Sequence, residues 1–213
     1  ILRGLVGSEM CIRDRLIALK KNNLPVFPLG LVALPGTIQN LQIFEPRYIS
    51  MVKDCMKNNH GFVIVFQKSG EGNDFEISKK GSYVEIIDFN NLPNGLLGIS
   101  VKSINKVAIS NLVQLQDGLN VAEVSPLIDP EVDDQALLAE FPEISNILNQ
   151  LVKHPRVADM PIEVDFNSAD SVAYHLAGLI PIPWSHKQSL LEAFDASQRF
   201  AILSKYIEEI SSS

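Results

Sequence analysis

Short apolar runs separated by turn signals dominate residues 24–127. FVIVF (62–66), SYVEIIDF (82–89), LLGIS (96–100), KVAIS (106–110) and LNVAEV (119–124) are rich in β-branched and aromatic residues, as strands are. Between them lie Ser69-Gly70-Glu71-Gly72-Asn73-Asp74, Pro93-Asn94-Gly95 and Asp117-Gly118, all turn formers. Alternation in YVEIIDF puts Val84, Ile86 and Asp88 on one face and Tyr83, Glu85, Ile87 and Phe89 on the other. Neither face is wholly apolar, which suits a strand in a small, strongly curved barrel.

One helix is expected inside this half. It follows the strand Leu41-Gln42-Ile43-Phe44 and opens at Glu45-Pro46-Arg47-Tyr48. Glu45 suits the positive end of a helix dipole, and Pro46 suits the first helical position, where its missing N–H has no partner to lose. Tyr48, Met51, Val52, Cys55 and Met56 then recur at helical spacing, with Gly61 past the end.

From Asp129 the period becomes helical. Glu131, Asp133 and Asp134 suit a solvated first turn, and Pro142 a new start. Ile144, Ile147, Leu148, Leu151 and Val152 form one stripe, ended by His154-Pro155; Val172, Leu176, Leu179 and Ile180 form another, ended by Pro181. A last helix is expected from Ser185-His186-Lys187-Gln188, read as an S-x-x-Q capping box, with Leu190, Leu191, Phe194, Ala201 and Ile202 buried. The expected fold class is therefore α+β: a barrel-like β part over 24–127 with one inserted helix, then a helical part over 128–210.

Composition narrows the function classes. The net charge is −7, so general binding to a nucleic-acid backbone is not expected. No apolar run approaches the roughly 20 residues of a membrane helix. Residues 1–15, ILRGLVGSEMCIRDR, resemble a translated adaptor or assembly artefact and are set apart, with 16–23 as a lead-in. That leaves Cys55 as a single cysteine, which cannot form an internal disulfide and points to a reducing cytoplasm.

No catalytic constellation is visible. GxxxxGK[ST] and GxSxG are both missing. Cys55 lies on the apolar stripe, which marks a core thiol rather than a nucleophile. His60, His154, His175 and His186 are scattered without ligand spacing, so no metal is expected. Ser185 and Lys187 lie within one turn and do not face each other as a dyad would. Nothing calls for a cofactor.

Three blocks then stand out: Leu24-Pro25-Val26-Phe27-Pro28-Leu29, Leu34-Pro35-Gly36, and Leu41-Gln42-Ile43-Phe44-Glu45-Pro46-Arg47-Tyr48. Their order and spacing resemble the opening signature of the LON domain, the amino-terminal substrate-recognition domain of ATP-dependent Lon proteases, also found as stand-alone bacterial proteins. Gly81–Ile86, Leu92–Gly95 and His186–Glu192 with Arg199 agree with it. The resemblance covers about 24–210 and implies a PUA-like β pseudo-barrel followed by a small helical bundle. One departure is Ser103-Ile104-Asn105-Lys106-Val107, where the family usually has Gly-x-x-Arg-Phe. Lysine keeps the charge but not the planar fork of arginine.

The resemblance implies recognition of unfolded or exposed polypeptide, alone or with a separate protease. No ATPase or peptidase activity is expected of the chain itself. Apolar grooves between the two parts, or an open strand edge, would be the physical route. Leu31, Leu34, Phe44 and Trp184 are the candidate contacts; Glu45, Pro46, Arg47 and Tyr48 are read as structural. Two alternatives stay open: a fragment of a full Lon protease, and an RNA-binding PUA-like protein.

Overall fold

The computed structural model describes residues 23–69 and 75–211. Expectations for residues 1–22 and for the turn over 70–74 lie outside them. The β part comprises β1 (Asn23–Leu29), β2 (Ile38–Ile43), β3 (Phe62–Ser69), β4 (Phe75–Asn91), β5 (Leu97–Gln114) and β6 (Asn120–Pro126). Helix α1 (Pro46–Asn58) is inserted between β2 and β3. Six helices follow: α2 (Asp134–Glu140), α3 (Pro142–Val152), α4 (Pro155–Ala158), α5 (Ala169–Leu179), α6 (Trp184–Glu192) and α7 (Ala196–Ser211). None of the described helices is long and apolar enough to cross a membrane.

The sheet closes on itself. β5, β4, β3, β1 and β6 pair in sequence, and β6 returns to β5. Among the described residues, only the β1–β3 pairing is parallel. β2 pairs with the first part of β5, from Ile38↔Lys102 to Ile43↔Leu97. Such closure needs strong bending, supplied by register shifts at Val65/Gln67, Tyr83/Val84, Ile86/Asp88 and Ser110/Val113. The runs LLGIS and KVAIS, expected as two strands, are one strand, β5. Its middle is polar in sequence yet inward-facing: Ser103 and Lys106 are both buried.

Residues 62–65 are all buried because β3 is covered on both faces. Phe62 and Ile64 belong to a core shared with α1; Val63 and Val65 belong to a second core with β6. Tyr48, Met51, Val52 and Cys55 are the buried face of α1, whereas Met56 is exposed. Burial pushes the Cys55 thiol up to about 12, and its Sγ lies 3.6 Å from the Gly61 carbonyl oxygen. At pH 8 roughly one part in ten thousand is thiolate. In a Cys11→Ser chain, labelling of Cys55 by an aromatic disulfide reagent should therefore proceed only at the global unfolding rate. Reaction within seconds without denaturant would contradict this.

The third core lies among the helices and includes Ile144, Leu148, Val172, Leu176 and Phe200. Here three expectations are corrected. Glu131 precedes the first helical turn, which starts at Asp134 with Asp133 as its cap. The last helix is two helices broken at 193–195, so Phe194 and Ala201 are exposed while Phe200 and Leu203 are buried. Ser185 is not a cap, because α6 starts one residue earlier, with Pro183 at its N-cap and its carbonyl accepting from His186 and Lys187 N–H. A cap is instead made by Asp195 and Gln198 at the start of α7. Asp195 accepts from Gln198 N–H (2.8 Å), and the Gln198 side chain accepts from Phe194 N–H (2.6 Å). Gln188 instead reaches β4, donating to Ser78 Oγ (2.8 Å) and the Lys80 carbonyl (3.1 Å).

Candidate functional site

The seam between barrel and helices is made by residues 31–37. Alternation in an extended segment sends neighbours to opposite sides. Leu31 and Ala33 pack into the barrel core, while Val32 and Leu34 pack into the helical core. The chain then turns. Thr37 N–H and Oγ1 both donate to the Leu34 carbonyl, Gly36 N–H donates to Ser103 O (2.8 Å), and Ser103 N–H donates to Thr37 O (2.9 Å). Gly36 has φ +82°, a conformation glycine adopts without cost. It sits against the ring of His175 on α5, where a Cβ would come within 3.0 Å of Cε1.

Two clefts flank this turn. Gly36 and His175 line both. The first, about 570 Å³, runs between β2 and the α4–α5 side of the bundle. Ile87, Met160, Ile162 and Leu179 form its apolar part. Ile87 is unpaired at the Ile86/Asp88 bulge and half exposed. Thr37, Ile38, Gln39 and Asn40 line it consecutively. Asn40, its β5 partner Ser100 and Asp88 of β4 line it side by side, so the cleft lies over the outer face of the sheet, and the consecutive residues of β2 carry it to the strand's rim. Among the described residues, no strand pairs with that edge of β2.

The second cleft, about 810 Å³, lies between β5 and the start of α5. Asp129, Glu131, Asp134, Glu163, Asp165 and Asp170 line it, against Lys102 and Lys106. Its floor is an ion cluster built around the buried Arg199. Arg199, with no exposed surface, donates to Asp170 from Nε (3.0 Å) and to Asp129 from Nη2 (2.7 Å). Lys106 pairs with the other Asp129 oxygen and donates to the Ala193 carbonyl (2.8 Å). Burial works against the Arg199 charge, but Tyr174 and the two carboxylates more than offset it and raise its affinity for the proton. Burial lowers that of Lys106, with Asp129 opposing. Asp129 is thus the shared ion-pair partner of Arg199 and Lys106.

None of Leu31, Leu34, Phe44 and Trp184 lines either cleft. Leu31 and Leu34 are packed as described. Phe44 is 65% exposed, and Trp184 is 43% exposed with Lys187 Nζ 4.8 Å from its ring centre. The Glu45–Tyr48 stretch makes a junction. Pro46 occupies the first position of α1, and Glu45, which makes no side-chain cap, pairs with Arg47 (2.6 Å). Arg47 donates to the Gly118 carbonyl (2.9 Å) and covers Tyr48, whose ring stacks on Phe27 at 3.9 Å. Among the described residues, no group of three His, Cys, Asp or Glu side chains is placed to hold a metal ion.

This arrangement, a closed β ring with an inserted helix seamed to a helical bundle, has known counterparts. The profile of the ATP-dependent protease La (LON) substrate-binding domain matches residues 23–209. The chain belongs to this family. Its fold matches the crystal structure of a Lon N-terminal domain protein from Xanthomonas campestris, with TM-score 0.71 and 27% identity over 87% of this chain and 98% of that one. The N-terminal domain of Mycobacterium avium complex Lon protease shares the fold, with TM-score 0.66 at 15% identity. Lon protease 1 of Bacillus subtilis is 25% identical over 200 residues, 89% of this chain and 25% of that protein. The chain spans about a quarter of the length of the curated relatives it matches. Lon membership and the α+β architecture expected from sequence therefore hold.

Arg199 and the clefts were missed as site features in the sequence. A signal for Arg199 existed: it falls in the stripe Ala196, Arg199, Phe200, Leu203, all buried. A charge on an apolar stripe demands a buried counter-charge.

Proposed function

We propose that this LON domain is a non-catalytic recognition module that binds extended, unfolded polypeptide in the cleft beside the open rim of β2. One observation carries the reading: a cleft with an apolar wall that lies over the outer face of β2, β5 and β4 and reaches the unpaired rim of β2. Backbone hydrogen bonds from β2 would hold any sequence, and Ile87, Met160 and Leu179 would favour apolar side chains. Substrate binding in the family's description and the likeness to Lon proteases support this. The same step serves a stand-alone module or one that feeds an attached ATPase and peptidase.

The test is fluorescence anisotropy of a labelled, permanently unfolded polypeptide titrated with the whole chain, with its folded parent as control. Ile87→Asp and Met160→Asp are each expected to weaken binding about tenfold, the loss of one half-buried apolar contact. Both sites are half exposed, so folding stability should change by less than about 0.5 kcal/mol. Equal binding of folded and unfolded forms, or indifference to both substitutions, would sink the reading.

A further inference from the structure

Two acceptors on the lining of the acidic cleft are unmet, while the unmet donor among its floor groups, Arg199 Nη1, is not on the lining. His175 is only 5% exposed, and its Nδ1 lies 2.7 Å from the Ser171 carbonyl oxygen, which can only accept. Nδ1 therefore carries a proton, and in the tautomer so fixed Nε2 is an acceptor. That Nε2 is buried and, among the described residues, has no partner. Asn105, also on the lining, donates through Nδ2 to the Lys106 carbonyl, and its buried Oδ1 is likewise unpartnered. Both orphans are acceptors, and so are the carboxylates around them. Glu131 and Asp165 are exposed at the mouth, and the Asp170 side chain is 46% exposed even while it accepts from Arg199. Lys102 is drawn to Glu163 at 3.4 Å, and Lys106 is held by Asp129 and Ala193. What the cleft lacks is a donor-rich cation.

The position says where such a cation would come from. Gly36 and His175 are common to this cleft and the β2 groove, so a segment lying on β2 passes its mouth. We infer that the acidic cleft takes a lysine or arginine side chain of the bound polypeptide, so that the module selects segments in which a basic residue adjoins apolar ones. This rests on the polypeptide-binding reading. The guanidinium or ammonium donates to the mouth carboxylates, with His175 Nε2 and Asn105 Oδ1 as the inner acceptors. A free polyamine carries the same chemistry and is separated from the peptide source by the test.

The probes are a fluorescent twelve-residue peptide of alternating apolar and small polar residues with one central arginine, and its isosteric citrulline twin. With the full chain, the arginine peptide should bind at least tenfold tighter in low salt, and the gap should narrow as salt screens the mouth. Glu131→Gln with Asp165→Asn, both on exposed residues, should remove the gap and leave citrulline binding unchanged. Ile87→Asp should weaken both peptides alike. Equal affinity of the two peptides overturns this inference and leaves the β2 reading intact. Failure of both to bind overturns the two together. Tight binding of spermidine by a chain that ignores both peptides assigns the cleft to free polyamine and likewise overturns it.

Discussion

Replacing Arg199 with methionine should cost about 3–5 kcal/mol of folding stability and lower the melting temperature by roughly 10 °C. The guanidinium joins Asp129, in the connector after β6, to Asp170 on α5, and Lys106 on β5 reaches the same Asp129. Without it, two carboxylates face each other at the bottom of a cleft that already holds an acid excess, and only Lys106 remains between them. Methionine fills much of the volume, so the loss is one of charge compensation rather than of packing. Arg199→Lys should rescue little, because a point charge cannot serve both carboxylates with the geometry of the planar fork. Thermal unfolding followed by circular dichroism, with exposed Lys205→Met as control, measures it. A loss below about 1 kcal/mol would show that this cluster does not hold barrel and bundle together.

That cluster marks the boundary of what the chain discloses in one dimension. Local signals carried far. Pro46 after an apolar strand announced α1, and the 3.6-residue spacing of Tyr48, Met51, Val52 and Cys55 announced its buried face. FVIVF, apolar without alternation, is a strand covered on both sides. The signals that misled were local ones overruled by distant partners. Ser103 to Lys106 reads as a polar break, yet it continues β5 because Lys106 meets Asp129 and Ala193 from the helical half. Ser185 looks like a cap because Gln188 follows at the right spacing, but Gln188 is spent on β4, 108 to 110 residues away in the chain. The clefts were illegible for the same reason. His175 and Gly36 each read as unremarkable alone, and only the seam places one against the other. Edge status of β2 depends on the whole pairing order, which no window of sequence contains.

A second large effect is expected from a single methyl group. Gly61→Ala should cost at least about 4 kcal/mol, comparable with the whole stability of many domains, and should leave little folded protein. A Cβ on Gly61 would lie 1.9 Å from the Val84 carbonyl oxygen, with the Val84 carbonyl carbon and the Tyr83 ring both at 2.9 Å. The obstacle is backbone, so no rotamer change relieves it. Relief requires moving β4 by more than an ångström where Phe62 pairs with Val84, and Gly61 N–H would release the Tyr83 hydroxyl it donates to at 2.8 Å. Phe62 and Val84 are both wholly buried, so the shift opens the core beneath α1. The cause here is space and not dihedral freedom, and two other glycines separate the two. Gly36→Ala meets a left-handed φ and a movable ring, and about 1–2 kcal/mol is expected. Gly30→Ala meets nothing within 4 Å and has no positive φ, so a change within about 0.5 kcal/mol is expected. Urea unfolding of the three variants should rank them Gly61, Gly36, Gly30. A Gly61→Ala protein as stable as the Gly30→Ala one would mean that β3 and β4 do not approach as closely at that point as the seating of α1 requires.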